Sequence, residues 1–137
     1  ALQRAKTVVM FNPNGATASG EALAVDFKKR FGKDMSLHQM YNTVGMLAKA
    51  IKNTGSADPA KVAAALEGMT FDGLTGPVTM RREDHQLQQP LFMGTWAKVD
   101  GKAVKYEQEG TGFGLRTDAT IPANVASLPT TCEMKRP

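Results

Sequence analysis

Two histidines and an acidic neighbour are the first residues in this chain whose types could do chemistry. Asp84-His85 could serve as a base and the carboxylate that orients it, with Thr79 and Thr95 the nearest hydroxyls in sequence. A hydrolase would also need a nucleophile elbow or an oxyanion motif, and the chain carries neither. The pair therefore reads as a structural element that hydrogen-bonds local backbone beside a strand. Glu83 and Asp84 are adjacent, whereas the paired carboxylates of glycoside chemistry oppose each other across a cleft. His38 and His85 belong to no spaced set of Cys, His and Asp ligands, so no metal is expected. Gly110-Thr111-Gly112-Phe113-Gly114 has the glycine content of a phosphate loop. No convincing helix follows it to receive an anion at its N-terminus, and it reads as a return loop. No catalytic residue and no cofactor is expected.

Phe11-Asn12-Pro13-Asn14 reads differently. It is a polar turn closing the apolar run Thr7–Phe11, which is where open α/β sheets make ligand contacts. Asn side chains there could hydrogen-bond a small polar ligand. Phe11, Asn12 and Asn14 are the predicted ligand-binding residues. Trp96, Tyr106, Phe92 and Phe113 could also form an aromatic ligand cluster, but stitching a sheet to its helices is the simpler role for them.

The elements that must hold these residues follow from periodicity. After the Asn-Pro-Asn-Gly turn, Ser19 is the expected N-cap of a helix. Leu23, Phe27 and Phe31 recur on one face of it and Gly32 stands at its end. Ser36 and Gln39 form a capping-box pattern for a second helix. Its apolar stripe comprises Leu37, Met40, Tyr41, Val44, Leu47, Ala48 and Ile51. That stripe is wide enough to demand a substantial partner surface. Asp58 caps a third helix with Pro59 at its first position, and Gly68 stops it. Beyond Gly68 the period changes. Phe71-Asp72-Gly73 and Gly76-Pro77-Val78-Thr79-Met80 read as a glycine-rich turn feeding a strand. Leu91–Val99 reads as another strand, joined through Asp100-Gly101 to an antiparallel return over Lys102–Tyr106. From Glu109 onward only a short helix at Pro122–Ser127 is expected.

At 137 residues the chain has the length of one domain, and 42% apolar with 22% charged residues excludes a disordered class. Aromatics make up only 7%, and much of the apolar count is alanine. The core is therefore thin for an autonomous fold. A net charge of +4 without a basic stripe argues against nucleic acid as a partner. No apolar run is long enough to span a bilayer. The start does not resemble a signal peptide, which fits a cytosolic protein, a removed leader or a missing N-terminal portion. Cys132 is the only cysteine. It is an ordinary thiol or the partner of a cysteine outside these residues.

In order, Ser36–Ile51, Asp58–Glu67, Phe71-Asp72-Gly73 with Gly76-Pro77-Val78, Asp84-His85-Gln86 and Gln89-Pro90 resemble the C-terminal third of substrate-binding proteins of branched-chain amino acid ABC transporters. The likeness covers roughly residues 7–107, with a similar tail to 137. It implies an α/β chain that is the C-terminal part of a two-lobe type I periplasmic binding protein, with three helices plus a C-terminal β-hairpin. Residues 1–34 would end the distal lobe, 35–110 would form the proximal lobe and hinge-returning strands, and 111–137 a tail. Tyr41, Gly73, Gly76, Pro77, Asp84 and His85 would be structural. Such proteins catalyse nothing. They work in the periplasm, close on a small solute such as an amino acid or aromatic carboxylate, and present it to a membrane permease. The rest of the protein, or self-association, would cover the helix stripe. If the chain is complete, the alternative is a small oligomerising protein-interaction module.

Overall fold

The structure, a computed structural model, describes residues 5–36, 38–131 and 135. Leu37 and Cys132 lie outside the described residues. Six strands and three helices follow in order: β1 (Lys6–Val9), α1 (Ala18–Phe31), α2 (His38–Thr54), α3 (Pro59–Leu66), β2 (Thr70–Gly73), β3 (Gly76–Met80), β4 (Leu87–Gln88), β5 (Leu91–Lys98) and β6 (Phe113–Ile121). A short 3-10 helix, Ala123–Ala126, comes after β6.

The helix boundaries obey local chemistry. The Thr17 hydroxyl, not Ser19, caps α1 by accepting from the Gly20 N–H at 3.2 Å. The same Thr17 hydroxyl donates to the Leu74 carbonyl and lies 3.0 Å from the Ser19 hydroxyl. Gly32 ends α1 at φ 65°, and its N–H reaches the Lys28 carbonyl. That left-handed position costs a glycine nothing sterically. Helix α2 is described from His38, and the expected Ser36 capping box spans Leu37, which lies outside the described residues. In α3 the Asp58 carboxylate accepts from the Lys61 N–H at 3.0 Å, with Pro59 at the helix start.

The main core gathers Met46 and Ala50 of α2, Val62 of α3, Met69 just before β2 and Val78 of β3. These lie on the opposite face of α2 from the expected stripe. Met40, Tyr41, Val44, Leu47 and Ile51 are all exposed, Val44 by 63%. The chain buries the narrower apolar face of α2 and leaves the wider one bare.

Two antiparallel sheets result, ordered β2-β3-β4 and β1-β5-β6. The hairpin between β2 and β3 turns through Leu74-Thr75, with Gly73 opposite Gly76. Gly76 sits at φ 111°, outside the range of ordinary side chains. The second sheet corrects one expectation. Lys102–Tyr106 does not return against Leu91–Val99; β6 pairs with β5 instead, from Lys98 opposite Phe113 to Leu91 opposite Ile121. The Asp100 carboxylate accepts from the Lys102 and Val104 N–H groups, curling this segment into a turn away from the ladder. Residues 113–121 thus contribute the longest strand among the described residues. A register shift opposite Met93-Gly94 leaves Asp118 as the extra residue on β6. Asp118 uses that bulge to accept from the Thr95 hydroxyl and to pair with Arg116 at 2.9 Å.

Candidate functional site

A cavity of about 610 Å³ opens between the turn after β1, helix α1, the entry to α2, and the 105–108 segment against β6. Val9, Phe11, His38, Trp96, Tyr106 and Leu115 supply much of its wall. Its size suits a small organic molecule. Phe11, Asn12 and Asn14, the three predicted ligand-binding residues, all line it.

The two asparagines are heavily engaged within the chain. Asn12 is only 2% exposed. Its amide donates to the Leu115 carbonyl and to the Thr117 hydroxyl, both at 2.8 Å, and its oxygen accepts from the Asn14 N–H. Both amide hydrogens are therefore used. Asn14 donates to the Tyr106 carbonyl at 3.0 Å and accepts from the Lys105 and Tyr106 N–H groups. These bonds fasten the turn after β1 to β6 and to the 105–106 backbone. The asparagines fix the shape of the cavity wall, and Phe11 contributes an apolar ring to it.

Sequence reasoning did not include His38 among the site residues. Its ring stacks on Phe11 with centroids 5.2 Å apart and planes 26° off parallel. Burial pushes its pKa below the ordinary histidine value, partly offset by a hydrogen bond to the Ser36 backbone. Nε2 is buried and has no hydrogen-bond partner. No local sequence pattern reports such a pairing, because it joins residues on different elements.

Charge around the cavity is neutralised in place. Lys28 reaches Asp34 at 2.9 Å and also pairs with Glu107. Hydrogen bonds to Glu107 and then Asp34 push the Lys28 pKa up. Lys28 in turn holds Glu107 below the usual carboxylate range. Burial favours the neutral form of Asp34, but the Glu109 N–H and Lys28 together outweigh it and lower its pKa. Glu21 accepts from the Tyr106 hydroxyl at 2.7 Å and from Lys105 at 3.1 Å, which lowers its pKa. These contacts bind α1 to the 105–109 segment.

The residues read as structural lie elsewhere. The Tyr41 ring is 6.1 Å from that of Phe71, on the exposed side of α2. A Cβ on Gly73 would come within 2.8 Å of Asn42 Oδ1. Pro77 pairs with Asp72 across the hairpin. Asp84 accepts from the Gln86 N–H and lies 3.3 Å from the Arg81 guanidinium. The His85 backbone N–H donates to the Arg81 carbonyl, and the ring Nε2 lies 3.6 Å from Glu67. The nearby hydroxyls are held by other partners, Thr95 by Asp118 and Thr79 by Thr70. Among the described residues no cluster of three His, Cys, Asp or Glu could hold a metal ion. None of their helices is long and apolar enough to cross a membrane.

A family model described as periplasmic binding protein matches residues 1–103. Among curated proteins, the chain is 28% identical over 135 residues to Leu/Ile/Val-binding protein homolog 4 of Brucella melitensis, covering 93% of this chain and 32% of that protein. The chain therefore spans about a third of the length of that relative. Among solved structures, it superposes on a leucine-, isoleucine-, valine-, threonine- and alanine-binding protein of Brucella ovis, in its closed conformation, with a TM-score of 0.84 and 24% identity. That match covers 99% of this chain and 36% of the other. An ABC transporter solute-binding protein of Rhodopseudomonas palustris, solved with 3,4-dihydroxybenzoic acid, matches with a TM-score of 0.74 and 22% identity, over 89% of this chain and 32% of the other.

Proposed function

From the premise that the chain belongs to the periplasmic binding protein family, we propose that it is the C-terminal portion of the solute-binding component of an ABC importer. In this reading the whole protein is periplasmic. It takes up a small amino acid or a related carboxylate or aromatic acid in a cleft between two lobes and hands it to a membrane permease. Residues 1–34 belong to the end of the distal lobe, 35–110 to the proximal lobe and the strands returning through the hinge, and 111–137 to the tail. Phe11 meets the solute, while Asn12 and Asn14 hold the wall that receives it. The remaining polypeptide covers the exposed stripe of α2.

The observation that carries this reading is that stripe. Five large apolar side chains on one helix face are bare in a chain whose relatives are three times as long. A face of that kind is normally an interface. The test is thermal unfolding of the full-length natural protein with a panel of aliphatic amino acids and aromatic acids. A true solute at a hundredfold excess over its Kd adds about 2.7 kcal/mol of stability. A panel without any shift would sink the proposal.

The same stripe favours one second reading, in which two copies of this chain bury it against each other as a non-enzymatic module. Sedimentation separates the two. A discrete dimer, dissociated by charges placed on the stripe and indifferent to the solute panel, would favour the module.

A further inference from the structure

We propose that the Leu74 carbonyl and the start of α1 form a latch made only when two bodies of this chain close on each other, so that Thr17 and Gly20 act as positioning residues that set how tightly a solute is held. This rests on the reading of the chain as part of a solute-binding protein.

The described chain falls into two bodies. One holds the sheet β1-β5-β6 and α1. Asn14 and Glu21 both bond Tyr106, Lys28 pairs with Glu107, and Gln108 bonds Phe113 of β6, so α1 is tied to that sheet through the 106–108 segment. The other body holds α2, α3 and the sheet β2-β3-β4. The main core lies wholly inside the second body. Met46, Ala50, Val62, Met69 and Val78, and the half-buried Phe71, Met80 and Leu87 packed on them, all come from residues 38–88. Bodies of one chain that are not welded by a large apolar interface move relative to each other. The chain passes between them after α1 and again at Gln89-Pro90.

Thr17 and Leu74 meet across that boundary. The Leu74 carbonyl, in the turn between β2 and β3, accepts from the Thr17 hydroxyl at 2.9 Å and from the Thr17 N–H at 3.4 Å. Gly20 is buried in the first turn of α1. A Cβ there would collide with the Leu74 carbonyl oxygen and stand 3.1 Å from the carbonyl carbon. Glycine is a poor helix former, so at this position it serves the close approach of Leu74 and not the helix. When the bodies part, water can satisfy the carbonyl and both donors, which makes the contact reversible. A contact present only in the closed form raises the closed fraction, and the apparent solute affinity rises with it.

The experiment compares the full-length wild-type protein with Gly20→Ala and Thr17→Asp. Each is titrated calorimetrically with a panel of aliphatic amino acids and aromatic acids that includes L-leucine and 3,4-dihydroxybenzoate. Both substitutions suit α1 itself, since alanine is the better helix former and aspartate caps at least as well as threonine. Both break the latch, one by bulk against the Leu74 carbonyl and the other by exchanging a hydroxyl donor for a carboxylate. Each should weaken binding of the wild-type solute by about tenfold, while the thermal midpoint without solute holds or rises. Thr17→Ser keeps the hydroxyl and should bind as the wild type does. Unchanged affinity in Gly20→Ala and Thr17→Asp would overturn the latch and leave solute binding standing. A lowered midpoint without solute would mark the contact as permanent packing and overturn it too. Hydrogen exchange at the Thr17 N–H, which lies before the first turn of α1 and reaches Leu74, reads docking directly in the wild-type protein. Its protection should rise on saturation with the solute, and equal protection with and without solute would contradict the proposal. A wild-type protein that binds nothing in the panel would remove the solute reading and the latch together.

Discussion

Asn12 illustrates how a residue chosen for chemistry can act through architecture. Its amide closes bonds to residues more than a hundred positions away, on β6. Replacing it with alanine leaves the Leu115 carbonyl buried without its donor. Asn12→Ala should lower stability by about 2 kcal/mol, read as an earlier urea midpoint with an unchanged slope. Gly73 offers a second residue-scale test. A methyl group there meets Asn42 Oδ1 at 2.8 Å and Val78 Cγ1 at 3.1 Å. Both neighbours are buried, so Gly73→Ala should destabilise by about 1–3 kcal/mol. An unchanged thermal midpoint would mean that α2 can back away from the hairpin without cost.

Helix α1 is fastened by charge more than by burial. Gly20 is its only buried residue, and Phe31 is exposed although its spacing placed it on an inward face. The ties are Lys28 with Asp34 and Glu107, and Glu21 with Lys105 and Tyr106. Asp34, Glu107 and Glu21 have folded-state pKa values below their ordinary ones. Their stabilisation is therefore complete above the unfolded carboxylate pKa of about 4 and is lost as pH falls through the lowered values. The Lys28 pKa is raised. Its share is complete below an unfolded lysine pKa of about 10.4 and is lost as pH rises through the raised value. Protection of the α1 amides, measured relative to their intrinsic exchange rates, should fall at the acid end. In Glu107→Gln that acid-induced change should be smaller, because one of the titrating partners is already neutral.

Much of this element plan was legible in the sequence. Gly32, Asp58, Pro59 and Gly68 punctuate helices as expected, because caps and stops are decided by neighbouring atoms. The second partner of β5 was not legible. Asp100-Gly101 does form a turn, but the Asp100 carboxylate binds the next N–H groups and takes Lys102–Val104 out of strand geometry. The strand that does pair, β6, lies in a stretch rich in glycine and threonine with no strong period. The candidate site was half legible. A polar turn after an apolar strand located the wall, but its hydrogen-bond partners, and the stacking of His38 on Phe11, depend on contacts that only the folded chain creates.

At the scale of the whole molecule the decisive feature is imbalance. Met46 and Ala50 on α2 complete a core, while Met40, Val44, Leu47 and Ile51 on its other side face outward. Purified alone at high concentration, the chain should self-associate through this side. Val44→Lys combined with Ile51→Lys should shift sedimentation toward monomer without loss of helicity. An unchanged association would locate the sticky surface elsewhere.

The order of strands in the larger sheet has a consequence for how the polypeptide is made. Residues 38–80 supply α2, α3, β2 and β3 within one continuous stretch, so that unit can assemble as it leaves the ribosome. β1 precedes that stretch, yet its neighbour β5 begins only at Leu91 and the strand beyond it ends at Ile121. While residues 10–90 are being made β1 has no partner in its own sheet and stays open to any passing strand, so mispairing is the hazard of this order.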